Sequence, residues 1–281
     1  MPTTKSGIAD VKGAQIAYDI TGDGPPVLLL HAGLGDRRMW DDQVPAFAQH
    51  FTVVRFDARG FGDTRKPDAP FSPSADAIGL LDALGIEQAH LVGVSMGSQT
   101  AIETAVTAPD RVSSLVAVAA RTGTPVSDAL RADWDRVDEI FESGDVAGAV
   151  EYELRMWVDG PDRSPDAVDP AMRERVREMN AALFARDDEA GEEIPLDPPA
   201  ADRLSRFTVP TMIVYGDKDI HDVRAAAGPL AAAIPNARLA VVPDAAHLPQ
   251  MERPEVFNRI VLDFLLGVPP APSSRAAPDS G

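Results

Sequence analysis

Apolar residues fall along the chain in two patterns. Short continuous runs occur at 27–30 (VLLL), 52–56 (TVVRF), 90–94 (HLVGV), 114–119 (SLVAVA), 211–216 (TMIVYG) and 238–243 (RLAVVP). A strand with one wet face alternates apolar and polar residues, so unbroken runs of this length predict strands covered on both sides, as in a parallel sheet. Between them, WDDQVPAFAQHF, SADAIGLLDALG, QTAIETAVTA, DVRAAAGPLAAAI and PEVFNRIVLDFLL place apolar residues at three- and four-residue spacing and predict helices. Near the start, ADV and GAQIAYD flank Lys12-Gly13 and predict a hairpin. The expected class is α/β, a doubly wound, mostly parallel sheet.

The alternation stops after the sixth strand, SLVAVA. SDALRADWDRVDEIFESG, DVAGAVEYELRMWVDG and DPAMRERVREMNAALFARD then read as amphipathic helices, with Asp169-Pro170 as a helix start. DDEAGEEIPLDPPAAD is an acidic, proline-rich return loop. The expected organisation is a core of residues 1–122 and 206–267, a helical cap at 123–205, and a disordered tail at 268–281, rich in Pro and Ser. A segment that leaves and re-enters at strand ends is expected over the carboxyl edge of the sheet, where open α/β sheets bind ligands.

Composition narrows the chemistry. The 281 residues carry 44 acidic and 26 basic side chains, a formal charge of −18, which opposes attraction to nucleic acid or an anionic membrane surface. No cysteine is present, so thiolate catalysis and cysteine metal sites are excluded. MPTTKSGIAD has no apolar signal core, and no apolar stretch reaches spanning length, so a cytoplasmic location is the expectation.

The run ending at Val94 leads into GVSMGS, which sets Ser95 between Gly93 and Gly97 just before a helix. Glycines there relieve collisions in a tight strand-to-helix turn, leaving the hydroxyl at its tip beside the helix amino end. Such a serine suits a nucleophile, although glycine and serine are common enough for the motif to arise by accident. A nucleophile needs a base and an acid to orient it. Of five histidines, His247 lies in a loop after the last strand, at the same edge as Ser95; His221 shares that edge and stays an alternative. His50 ends a helix and His90 starts a strand at the opposite edge. Asp217 and Asp219 both follow the strand TMIVYG, and Asp219 is favoured as the acid; either could instead cap the next helix.

Glycine-rich loop, G-x-S-x-G, aspartate and histidine occur in that order, each after a strand. Over roughly residues 7–267 the chain resembles the α/β-hydrolase superfamily. HAGLGDRRMW looks like its oxyanion loop, FDARGFGDT like its D-x-R-G-x-G-x-S segment, GDKD like its acid loop, and AAHLPQMERP like its histidine loop. The resemblance implies Ser95 as nucleophile, Asp219 as acid, His247 as base, and the backbone N–H groups of Gly33 and Met96 as oxyanion hole. Ala32 replaces the usual glycine after the loop histidine, which leaves the first donor open between Gly33 and Leu34; Ser98 and Thr64 also depart from the pattern. Within the superfamily the chain is loosely similar to enol-lactonase-like esterases and lactonases with a helical cap. That implies a cofactor-free, metal-free serine hydrolase for a small ester or lactone.

Substrate contacts are expected from Leu34, Trp157 and Arg121. Trp134, Phe141, Tyr152, Met156 and Phe184 could also line a pocket, or only pack helices together. Arg121 could hold a substrate carboxylate, or pair with one of the cap's acids on the surface. Carbon–carbon bond hydrolysis, perhydrolysis or haloperoxidase chemistry, a biosynthetic role and ligand binding without turnover remain alternatives on the same fold. The expected partner is a small molecule, with no nucleic acid and no membrane; oligomeric state is not legible.

Overall fold

The computed structural model describes residues 3–67, 69–186 and 191–268. Eight strands form one sheet: β1 (Lys5–Val11), β2 (Ala14–Thr21), β3 (Pro26–Leu30), β4 (Thr52–Phe56), β5 (Ala89–Val94), β6 (Val112–Val118), β7 (Thr211–Gly216) and β8 (Arg238–Val242). Their order is β1-β2-β4-β3-β5-β6-β7-β8. β1 and β2 form the expected antiparallel hairpin, with Lys12 and Gly13 both at positive φ, and β2 also runs antiparallel to β4. Every pairing from β4 through β3 to β8 is parallel. The expected α/β architecture is therefore the observed one.

The run pattern has its physical cause in the packing. Every residue of β5 is buried, and two separate apolar clusters cover the two faces of the sheet. Nine α-helices occur among the described residues: α1 (Val44–Phe47), α2 (Pro73–Ala83), α3 (Met96–Thr107), α4 (Asp128–Glu142), α5 (Val146–Glu153), α6 (Pro170–Phe184), α7 (His221–Ala233), α8 (Pro249–Glu252) and α9 (Pro254–Leu266). None is long and apolar enough to cross a membrane.

One expectation needs correction. WDDQVPAFAQHF is not one helix: a 3-10 turn at Arg37–Trp40 gives way to the single turn α1. Pro45 has no N–H to give to Asp41, so the helix cannot run through. Burial survives, since Trp40 and Phe47 are both fully enclosed.

Between β6 and β7 the described residues form α4, α5, α6 and shorter turns, with α5 packed against both α4 and α6. Asp169 caps α6 through Ala171 N–H at 2.8 Å, with Pro170 following as expected. After α5 the backbone widens into a π-helical turn, Leu154–Asp159. Residues 187–190 of the acidic return loop, and the expected tail from 269 onward, lie outside the described residues.

Candidate active site

Ser95 follows β5 directly and precedes α3 with φ 55° and ψ −115°, a left-handed conformation that costs a non-glycine residue energy. Its own N–H is held by Val118 O at 2.8 Å, and its carbonyl accepts from Ser98 N, Gln99 N and Ser98 Oγ. The flanking glycines are required by contact. A Cβ on Gly93 would lie 2.2 Å from Gly97 O, and one on Gly97 would lie 2.3 Å from Leu30 O. Strand, turn and helix thus interlock at a spacing that only glycine permits. Ser98, where a second glycine was the common residue, fits because its hydroxyl turns back onto the Ser95 carbonyl at 2.6 Å.

Asp219 and His247 come from the adjacent loops after β7 and β8. Gly216 lets these loops touch: a Cβ there would sit 2.1 Å from Ala245 O. Lys218 N donates to Ala245 O at 2.8 Å across the same seam. Asp219 is 1% exposed and His247 2% exposed. His247 Nδ1 donates to the Asp219 carboxylate, 3.0 Å from Oδ2 and 3.1 Å from Oδ1, while Oδ1 also accepts the Ile220 N–H at 2.8 Å. In the neutral imidazole this tautomer carries its lone pair on Nε2, the arrangement a general base needs. Among the described residues no hydrogen bond joins Ser95 Oγ to His247 Nε2. Such bonds are often long before substrate binds and tighten in the complex.

The competing residues lie elsewhere. Asp217 is partly exposed and pairs with Lys218 at 3.3 Å. His221 is exposed at the start of α7, and His50 is exposed after α1. His90 is buried with Nδ1 2.7 Å from Ser114 Oγ, and burial pushes its pKa down to about 4. His31 is buried too. It sits with Nδ1 on Ala32 O at 2.8 Å and Nε2 accepting Ala58 N–H at 3.0 Å, and burial pushes its pKa down.

The loop after β3 lies against the elbow, with a built Cβ on Gly33 contacting the Met96 side chain at 3.8 Å. No acceptor among the described residues takes the N–H groups of Gly33, Leu34 or Met96, so both registers of the first donor remain. Leu34 is 6% exposed. The segment FDARGFGDT braces this loop. Buried Asp57 accepts Arg37 N–H at 2.9 Å and Asp63 N–H at 2.8 Å, and Thr64 Oγ1 accepts Ala17 N–H at 2.9 Å, the task a serine hydroxyl would also serve.

Three residues from the helical insertion, Trp157, Trp134 and Arg163, touch the site or the loops beside it. Trp157, in the π-helical turn, packs its ring on the His247 imidazole with centroids 4.3 Å apart, and its carbonyl accepts the His247 N–H at 3.2 Å. Trp134 does something different: the Arg121 guanidinium lies over its ring at 5.6 Å. Arg121 follows β6 and is partly buried. Its guanidinium has no hydrogen-bond or ion-pair partner among the described residues, so the expected surface pair with an acid of the insertion is not seen there. Burial lowers its pKa, and the charges of Asp222 and Asp219 act against that. Of the other cap aromatics, Phe141 packs on Phe184 at 5.2 Å and Tyr152 donates to Asp133 at 2.8 Å, both contacts within the insertion. Arg163, which the sequence did not single out, reaches from the insertion to Glu252 of the histidine loop. The glutamate in AAHLPQMERP is the one sequence signal that such a partner exists.

The family model for the alpha/beta hydrolase fold matches residues 25–254. The chain is 31% identical over 263 residues to a Mycobacterium tuberculosis protein named "Putative non-heme bromoperoxidase BpoC", covering 90% of this chain and 98% of that one. Among solved structures, a hydrolase from Pseudomonas aeruginosa PA01 is 29% identical with a TM-score of 0.76, covering 93% of this chain and 98% of that one. The enol-lactonase from Burkholderia xenovorans LB400 is 26% identical with a TM-score of 0.75, covering 92% and 99%. With strand order, elbow and loops in agreement with a family match over most of its length, this chain belongs to the α/β-hydrolase family.

Proposed function

We propose that the protein is a serine hydrolase that cleaves a small carboxylic ester or lactone through an acyl-enzyme. The observation that carries this reading is the hydrogen bond from His247 Nδ1 to Asp219, buried at the same sheet edge as the strained Ser95 turn. In this reading Ser95 Oγ attacks the carbonyl carbon and passes its proton to His247 Nε2. The carbonyl oxygen takes the negative charge and is held by Met96 N–H with Gly33 or Leu34 N–H. His247 then protonates the departing alkoxide, leaving the acyl group on Ser95. Water attacks that ester, gives its proton to Nε2, and Ser95 leaves with the proton returned. Each step uses side chains and backbone of this chain, so no cofactor or metal enters.

The insertion supports a role as a cap, since Trp157 already touches the proposed base. A cavity of about 170 Å³ opens beside the elbow, lined by Met96, Phe61 and Phe71 together with the polar Gln99, Glu103 and Glu193, a size suited to a small substituent. Arg121 supports an acidic substrate. Its partly buried guanidinium lacks an anionic partner, which a substrate carboxylate could supply bidentately.

A fluorophosphonate probe should label wild-type Ser95 and not Ser95→Ala, and the wild type alone should turn over a panel of p-nitrophenyl esters and lactones. Turnover by Ser95→Ala at the wild-type rate refutes the nucleophile. Adding hydrogen peroxide to the same assay separates perhydrolysis from hydrolysis. Arg121→Ala should raise KM for a carboxylated lactone and leave its neutral ester unchanged; an equal effect on both removes the acidic substrate.

A further inference from the structure

We propose that Trp157 and Arg163, supplied by the helical insertion, are positioning residues for His247. This deepens the hydrolase reading and rests on His247 being its base. The insertion enters the histidine loop through four contacts. Trp157 packs on the His247 ring with centroids 4.3 Å apart and planes tilted by 42°, and its carbonyl fixes the His247 N–H at 3.2 Å. Gly160 has φ 79°, and a Cβ there would stand 2.4 Å from Lys218 O and 3.4 Å from the Ala246 Cβ, so the turn lies directly on the backbone that precedes both Asp219 and His247. Arg163 completes the attachment. Its guanidinium forms a two-pronged pair with Glu252, Nη1 to Oε1 and Nη2 to Oε2, and the side chains are only 12% and 5% exposed.

Glu252 is the link to the base. While its carboxylate holds Arg163, Oε2 also accepts the N–H of Ala246, the residue before His247, at 2.9 Å. Arg163 in turn donates to Asp159 O at 2.7 Å, Val158 O at 3.1 Å and Asp244 O at 3.4 Å. One guanidinium therefore fastens the end of the π-helical turn to both sides of the histidine loop. The π-helical register matters because it brings the Trp157 ring and carbonyl to bear on the same residue while Asp159, two residues later, is buried on Arg173 at 2.8 Å.

A base that must reach Ser95 Oγ after substrate binds has to be held to within fractions of an ångström, since a displacement near 1 Å costs on the order of a hundredfold. Asp219 fixes only the ring's Nδ1 side. The insertion supplies the remaining constraints, on the ring face and the backbone. On this view the segment 157–163 stays seated on the core as substrate enters.

The test uses Arg163→Gln, Arg163→Lys, Trp157→Leu and Trp157→Phe in the full chain. Two readouts are compared: the rate of Ser95 labelling by a small fluorophosphonate, and the low-field NMR resonance of the His247 Nδ1 proton, assigned by its loss in His247→Ala. Arg163→Gln and Trp157→Leu should label roughly tenfold to a hundredfold more slowly, with the resonance broadened or gone. Arg163→Lys and Trp157→Phe should recover part of both. In a His247→Ala background neither substitution should slow labelling further, because the group they position is absent. If Arg163→Gln does not fold, Trp157→Leu, which breaks no ion pair, carries the test. Wild-type labelling and an unchanged resonance in folded variants overturn the proposal, as does an equal fold-loss in the His247→Ala background. Failure of the hydrolase reading looks different: wild-type Ser95 is unreactive, yet the resonance still responds to residues 157 and 163.

Discussion

Asp219→Asn is the sharpest test of the proposed chemistry, because the surrounding hydrogen bonds dictate how the amide must turn. Oδ1 accepts the Ile220 N–H at 2.8 Å, and that donor has to be kept satisfied in a site 1% exposed. The amide oxygen therefore takes the Oδ1 position and the NH2 group takes the Oδ2 position, 3.0 Å from His247 Nδ1. A donor now stands 3.0 Å from Nδ1, against 3.1 Å for the amide oxygen that also serves Ile220, so the tautomer with its proton on Nε2 is favoured instead. A protonated Nε2 cannot accept the proton of Ser95, and the negative charge that stabilised the imidazolium is gone as well. With shape preserved and both functions lost, kcat/KM should fall by roughly ten-thousandfold, the size seen for such a swap in serine proteases. That is about 5 kcal/mol of transition-state stabilisation. Fluorophosphonate labelling and p-nitrophenyl ester hydrolysis should fall together, with the circular dichroism spectrum unchanged. A folded Asp219→Asn protein within tenfold of wild type would refute the assignment of the base, the acid or both.

Three further outcomes follow from packing and burial. Gly97→Ala should destabilise the fold by roughly 3 kcal/mol or more, because its Cβ would lie 2.3 Å from Leu30 O and 2.6 Å from His31 O, both backbone atoms. Gly85→Ala, at φ 68° with no atom within 4 Å, should cost only about 1 kcal/mol, and urea midpoints of the pair separate collision from backbone strain. Gly216→Ala should slow Ser95 labelling by driving the acid and histidine loops apart, since its Cβ would meet Ala245 O and Ala246 O at 2.1 and 2.2 Å; unchanged labelling would show that the loops yield. His90, with its pKa pushed down from 6.5 to about 4, stays neutral in the fold while the unfolded chain takes up a proton below pH 6.5. Stability tied to it is complete above pH 6.5 and is lost as pH falls toward 4, by up to about 3 kcal/mol. His90→Asn should flatten the urea midpoint against pH in that window, and parallel curves would contradict it.

What the sequence disclosed and what it withheld divide along physical lines. Continuous apolar runs announce strands such as β5 because burial on both faces leaves little room for polar side chains, His90 being held there by Ser114, and Gly93 and Gly97 announce the elbow because no other residue fits. The sheet edge that carries Asp219 and His247 was legible since each follows a strand, but Asp217 and His221 share that edge, and only the packing that buries Asp219 against His247 separates them. The π-helical turn at Leu154–Asp159 has no such signature: shifting a hydrogen bond by one residue leaves composition and apolar spacing unchanged, so LRMWVD reads as the tail of a helix. Its consequence is just as hidden, because the Trp157–His247 contact spans 90 positions of chain and depends on where Gly160 and Arg163 seat the turn. Arg121 shows the same limit from the other direction. In a chain with 44 acids a lone arginine reads as one more surface pair, and only tertiary structure shows Trp134 beneath its guanidinium and no carboxylate of the described residues within ion-pair distance. Local sequence therefore specifies which groups arrive at the sheet edge, while contacts that bring residues 157 and 163 of the insertion onto the histidine loop emerge only from tertiary packing.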